Sequence, residues 1–326
     1  MNRRFFLKTS ASVLAASLLS QQAYAKKDLL VKYGGSAWLA HYPAYLAMTE
    51  GLLAKHQLSQ DYQSFGTSSA RMSALISGNI DIASTGAVSA LALMARGVKH
   101  FSIIAIPESF GKVEGIVARP GITSIEQLKG KKIGVTFASS SQLLVLDILA
   151  QHGMTPDDVI LLNVPAPELP SALKSGQIDA SATWTPYFEH TLKQEGATLL
   201  ADDTQFKLYQ SHNVPPGPDV LVVRNSFAKK YPEQLKAYLS AYFEANTLLR
   251  ETPEKVAEKL SKLTNLSVEE QLSILKGTDW FSLPQQKELL TGKYAEGVQL
   301  LADLLVQHKQ IDKSPNVKEW IDTSFI

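Results

Sequence analysis

The chain has 326 residues, more than one hydrophobic core usually serves, so two lobes are expected. Its 32 basic and 31 acidic side chains give a formal charge of +1, with no basic stripe interleaved with aromatics, which argues against a nucleic-acid partner. The sequence holds no cysteine, which excludes disulfides, thiolate chemistry and cysteine-based metal sites.

Arg3-Arg4-Phe5-Phe6-Leu7-Lys8 opens the chain, an apolar run of small residues follows from Ala11 to Leu19, and Ala23-Tyr24-Ala25 closes it. A positive head, a short apolar middle and an A-x-A end predict an export leader over residues 1–25. The arginine pair followed by an apolar-Lys segment resembles the twin-arginine signal; general secretory export with a chance pair is the alternative. The middle is too short for a bilayer span of about 20 residues, and no later stretch reaches that length. A mature chain free in the periplasm is expected.

Leu29 to Tyr33 reads as a strand, with Gly34-Gly35-Ser36 as a tight turn behind it. Ala40 to Leu53 reads as a helix and Asp61 to Phe65 as the next strand. Ser68-Ser69 stands where a helix cap is wanted, ahead of Ala70 to Ile76. Strands are predicted at 80–83, 101–106, 115–118, 132–135, 159–164, 177–180 and 219–224. Helices are predicted at 90–95, 124–128, 142–151 and 169–175. From Ser226 onward the pattern turns helical, over 231–251, 253–263, 267–275 and 284–307. Strand–helix alternation followed by a helical tail predicts an α/β fold with two mixed, mostly parallel sheets flanked by helices. One echo supports two similar lobes: Ser77-Gly78-Asn79-Ile80-Asp81-Ile82-Ala83 and Ser175-Gly176-Gln177-Ile178-Asp179-Ala180-Ser181 read as one helix-turn-strand unit used twice.

Binding sites in such folds gather on strand-to-helix loops. Ser84-Thr85-Gly86-Ala87-Val88-Ser89 and Thr136-Phe137-Ala138-Ser139-Ser140-Ser141 have the composition for it: hydroxyls ahead of a helix, whose N-terminal amides attract an anion. The same serines would also serve as plain helix caps. Catalysis finds little support. The seven histidines form no HExxH, and the GxSxG, GxxxxGK[ST] and GxGxxG patterns are missing. No enzyme activity, cofactor or metal is expected.

These features together resemble the periplasmic substrate-binding proteins of ABC importers for nitrate, sulfonates and taurine, with the taurine-binding members nearest. The resemblance runs over nearly all of the mature chain. It is carried by Leu75 to Ile82, by Ile122 to Val135 (ITSIEQLKGKKIGV), by Ala182-Thr183-Trp184-Thr185-Pro186, by Asp219 to Arg224, and by Lys276-Gly277-Thr278-Asp279-Trp280 before Pro284-Gln285-Gln286. It implies a type II periplasmic binding protein fold, with one lobe at 28–114 plus 219–326 and the other at 115–218. It further implies a small organic anion or zwitterion as ligand, a permease with its ATPase as partner, and a monomer. The sulfonate-binding groups would come from the Ser84–Ser89 loop, with Ser84, Gly86 and Ser89, and from the Thr136–Ser141 loop, with Ser139, Ser140 and Ser141. Asp219 would meet a ligand amine, or else brace the lobes, and Glu114 would be a further acid near the cleft. Trp184, Phe137 and Trp38 would wall the pocket, the alternative for the two tryptophans being core packing. The Gly34–Trp38 and Ala105–Lys112 segments and the proline-rich 214–218 stretch depart from the taurine pattern. This keeps plain alkyl or aryl sulfonates, pyrimidine-like heterocycles and a sensory role open.

Overall fold

The computed structural model describes residues 28–212 and 214–326; the expected leader at 1–25 lies outside the described residues. Twelve strands are formed by these residues: β1 (Leu29–Gly35), β2 (Leu58–Ser64), β3 (Ile82–Gly86), β4 (Phe101–Ala105), β5 (Glu108–Phe110), β6 (Glu114–Ala118), β7 (Lys132–Val135), β8 (Ile160–Asn163), β9 (Ala180–Trp184), β10 (Thr198–Asp202), β11 (Asp219–Arg224) and β12 (Thr278–Trp280). They build two five-stranded sheets, ordered β2-β1-β3-β11-β4 and β8-β7-β9-β6-β10, and a two-stranded ribbon of β5 and β12. Each large sheet is parallel except for its fourth strand: β11 runs antiparallel to β3 and β4, and β6 to β9 and β10. That odd strand is in both cases the first one after the chain crosses between sheets. The result is two α/β lobes, as the alternation of elements predicts.

The sequence echo is a structural repeat down to its polar contacts. Each unit ends a helix, Ser68–Ser77 or Leu169–Lys174, and turns at a glycine with positive φ, Gly78 (+81°) or Gly176 (+75°), a conformation in which a side chain would be strained. An aspartate then ties the turn to the neighbouring strand. Asp81 accepts the Lys32 amide at 3.1 Å, and Asp179 accepts that of Lys132 at 2.9 Å. Each carboxylate also meets an arginine on or just past the odd strand, Arg224 for Asp81 and Arg119 for Asp179.

The third strand of each sheet runs later than the apolar pattern suggests, 82–86 rather than 80–83 and 180–184 rather than 177–180. Both continue through hydroxyl residues (Ser84, Thr85, Ser181, Thr183) that are wholly buried, because a central strand flanked on both faces follows no polar-out alternation. Gly34 and Gly35 also depart from expectation. They end β1 instead of making a turn, and their missing side chains leave room for neighbours. A Cβ on Gly34 would stand 2.9 Å from Cγ of Arg71, and one on Gly35 would run into the Tyr62 ring.

The helical tail packs on the first lobe. Its long helix Pro232–Glu251 buries Tyr238 and Tyr242 against Leu39, Tyr42 and Leu46. The tail also leans on the second lobe: Lys293–Gln307 touches the helix Lys207–His212, and Lys193 pairs with Glu270. The predicted helix at 284–307 is broken at Gly292 into Gln286–Thr291 and Lys293–Gln307. Among the described residues no helix is long and apolar enough to cross a membrane.

Candidate functional site

The carboxyl ends of the parallel strands in the two lobes face one another across a cleft. The first lobe supplies Ser36 and Trp38 after β1, Phe65 to Ser69 after β2, Gly86, Val88 and Ser89 after β3, and Asp219 at the start of β11. The second supplies Thr136 to Ser140 after β7, and Trp184, Pro186 and Tyr187 around the end of β9. The lobes touch here: Ser89 Oγ donates to the Ala138 carbonyl at 3.5 Å. Within the second lobe, Gly217 lies so close to Ser140 that an added Cβ would stand 2.2 Å from the serine Cβ.

Three helices, Ser68–Ser77, Ala87–Ala95 and Ser140–Gln151, start at this cleft. Two are capped internally. Thr67 Oγ1 accepts the Ala70 amide at 3.2 Å, and Ser139 Oγ accepts that of Gln142 at 3.4 Å while donating to the Thr136 carbonyl at 2.6 Å. The third is different. Gly86 at its cap position has no side chain to offer, and the Ala87 amide goes to the Pro218 carbonyl at 2.8 Å. Val88 and Ser89 line the cleft at the positive end of the helix dipole, and their amides belong to the first turn, which has no intrahelical acceptors for them.

Arg71 reinforces this end. Its side chain is only 3% exposed, lies against the Gly34 backbone, and donates from Nη1 to the Ser84 carbonyl at 3.2 Å. Among the described residues its Nε–H, itself buried, has no partner. A buried guanidinium on a cleft wall is suited to receive an anion.

The opposite charge stands nearby. Asp219 is 2% exposed, and its Oδ2 accepts the Trp38 indole N–H at 2.5 Å. Burial raises this carboxyl to about 6, against the lowering influence of Trp38, of Glu108 and of the Arg71 charge, so it is mostly ionised at neutral pH.

Of the residues picked out from sequence, Trp38, Gly86, Ser89, Phe137, Ser139, Ser140, Trp184 and Asp219 line the cleft. Phe137 is 41% exposed at the mouth, its amide held by Asn163 Oδ1 at 3.0 Å. Ser84, Ser141 and Glu114 lie behind the wall. Ser84 sits within β3, wholly buried. Glu114 accepts from Ser140 Oγ at 2.6 Å and from Ser141 Oγ, and burial pushes its carboxyl up to about 8, so it is an uncharged brace beneath the helix start. Arg71, Thr67 and Tyr187 were not anticipated. The glycine pair at the end of β1 was the available clue to Arg71, since two adjacent glycines in a strand mark a side chain pressed on the backbone.

Two α/β lobes, each with one antiparallel strand, hinged around a cleft at their strand ends, define a type II periplasmic solute-binding protein. Within that class the chain belongs to the NMT1/THI5-like family, whose profile matches residues 38–256. It is 27% identical over 292 residues to the taurine-binding periplasmic protein of Escherichia coli K12, covering 87% of this chain and 89% of that one. A binding protein of Brucella abortus is 31% identical over 266 residues, 80% and 79% of the two chains. Among solved structures, the alkanesulfonate-binding protein SsuA of Xanthomonas axonopodis pv. citri bound to MOPS superposes with a TM-score of 0.75 at 21% identity, covering 91% of this chain and 99% of that one.

Proposed function

We propose that this chain is the periplasmic solute-binding component of an ABC importer, and that its ligand is a taurine-like organosulfonate bearing an amine. The observation that carries the proposal is the pairing of opposite charges in one cleft: Arg71 with the start of the Ala87–Ala95 helix at one end, Asp219 at the other. A zwitterion satisfies both ends; a plain anion leaves Asp219 without a cation. Trp38, Phe137, Trp184 and Tyr187 supply apolar walls that keep water from weakening the polar contacts. The relatives that bind taurine and alkanesulfonates support the same ligand class.

Binding, not catalysis, is the activity. Lobes of residues 28–114 plus 219–326, and 115–218, close on the ligand as a monomer, and the closed form is what a permease with its ATPase would engage. The leader at 1–25 delivers the chain to the periplasm.

Calorimetric titration of the ligand-stripped protein with taurine and with ethanesulfonate tests the reading. Taurine should bind at least tenfold more tightly, and Asp219→Ala should remove that preference while changing ethanesulfonate little. Equal affinity of the wild-type protein for both would reduce the ligand class to plain sulfonates; binding of neither would send it to other anions or heterocycles.

A further inference from the structure

Glu108, on β5, is wholly buried, and among the described residues no donor gives a hydrogen bond to either of its carboxyl oxygens. The polar group facing it is the carboxyl of Asp219. Two carboxylates cannot bond to each other without a proton between them, and both cannot stay ionised side by side in a dry site. Asp219 has the Trp38 N–H and the field of Arg71 on its side, whereas Glu108 has no such help. The other titratable groups around the pair add no competing cation. Tyr242 and Tyr294 approach from the two tail helices Pro232–Glu251 and Lys293–Gln307, and burial raises both well above the usual tyrosine range. Glu114, on β6, is itself pushed toward the neutral form.

We propose that Glu108 is a positioning and specificity residue for the amine end of the site: it keeps the proton of the carboxyl pair and donates it to Asp219. Asp219 then presents one negative charge with a fixed orientation, held from one side by Trp38 and from the other by Glu108. Such a site selects a singly charged ammonium. The inference rests on the reading of an amine-bearing ligand. It goes beyond that reading by naming the residue, remote from the ligand, that sets the charge of the receptor.

The test uses the full mature chain, with Glu108→Leu and Glu108→Gln. Leucine removes the donor; it should weaken taurine roughly 10- to 100-fold, as loss of a hydrogen bond to a charged group does, and leave ethanesulfonate within about threefold. Glutamine keeps an N–H donor and the charge of the protonated acid, so it should rescue taurine binding to within about threefold of wild type. The acid limb of the taurine pH profile should move to higher pH in the leucine variant and stay in place in the glutamine variant. If glutamine weakens taurine as much as leucine does, Glu108 acts through a negative charge and the proposal falls. If leucine weakens both ligands equally at unchanged unfolding temperature, Glu108 only shapes the cleft, which also overturns it. Infrared spectra of the ligand-free protein at neutral pH read the proton without any ligand: the protonated-carboxyl stretch should lose intensity in Glu108→Gln. An unchanged spectrum rejects the assignment even if taurine proves to be the wrong ligand, while loss of intensity with no taurine preference would reject only the amine reading.

Discussion

Arg71→Met should weaken ligand binding while leaving the empty protein at least as stable as before. The guanidinium contributes a hydrogen bond to the Ser84 carbonyl at 3.2 Å and a long one to Ser68 at 3.5 Å, together about 2 kcal/mol. Against this stands the desolvation of a charge that is 3% exposed with Nε unpartnered, several kcal/mol only partly offset by Asp219. Methionine fills the space along the Gly34 backbone without that penalty. Urea unfolding, followed by tryptophan fluorescence, should therefore change by no more than about 1 kcal/mol, and upward rather than downward. Binding moves the other way. Two charge-assisted bonds to a sulfonate are lost, about 3 kcal/mol in total, so the calorimetric Kd for taurine should rise roughly a hundredfold. An affinity loss below about threefold, or a stability loss above about 3 kcal/mol, would refute Arg71 as the anion receptor.

Gly217→Ala should push the start of the Ser140–Gln151 helix away from the 214–218 stretch, since its Cβ would stand 2.2 Å from that of Ser140; the calorimetric Kd for taurine should rise roughly tenfold. An unchanged affinity would show that this contact does not shape the cleft. Glu114 makes stability depend on pH. The folded state holds its proton more tightly than the unfolded chain, so its contribution is full below about 4.5 and is lost as pH rises toward about 8. Thermal unfolding should thus fall across that window, and Glu114→Gln should flatten the decline; an unchanged slope would show that Glu114 is not the group responsible.

How much of this was legible in the sequence differs between fold and site. Lys132–Val135 and Asp219–Arg224 are short apolar runs bounded by polar residues, and they are strands over the residues expected. The repeated Ser-Gly-x-Ile-Asp stretch disclosed two like lobes because its glycine and aspartate act locally, within one turn. Ser84 failed the same reading. Its hydroxyl suggested a loop, but pairing with Leu221 across β11 draws it into the sheet, and that partner is remote in sequence. Arg71 looked like an ordinary polar position in a capped helix. Its side chain is packed against Gly34 and beside Tyr33 and Tyr62, none of which a helical period can reveal. Glu108 was hidden for a similar reason: its three-residue strand exists only by pairing with Thr278–Trp280, far along the tail.

The placement of β11 has a consequence for the order in which the molecule is made. The second sheet is drawn from one unbroken stretch, β6 to β10, and holds all its strands once Asp202 has emerged. The first sheet cannot be completed then, because the strand that belongs between β3 and β4 begins only at Asp219. Until it arrives, β3 and β4 keep bare edges open to wrong partners. The half of the protein synthesised first is thus the half that folds last, and the cleft takes shape only when that late strand brings Asp219 into place.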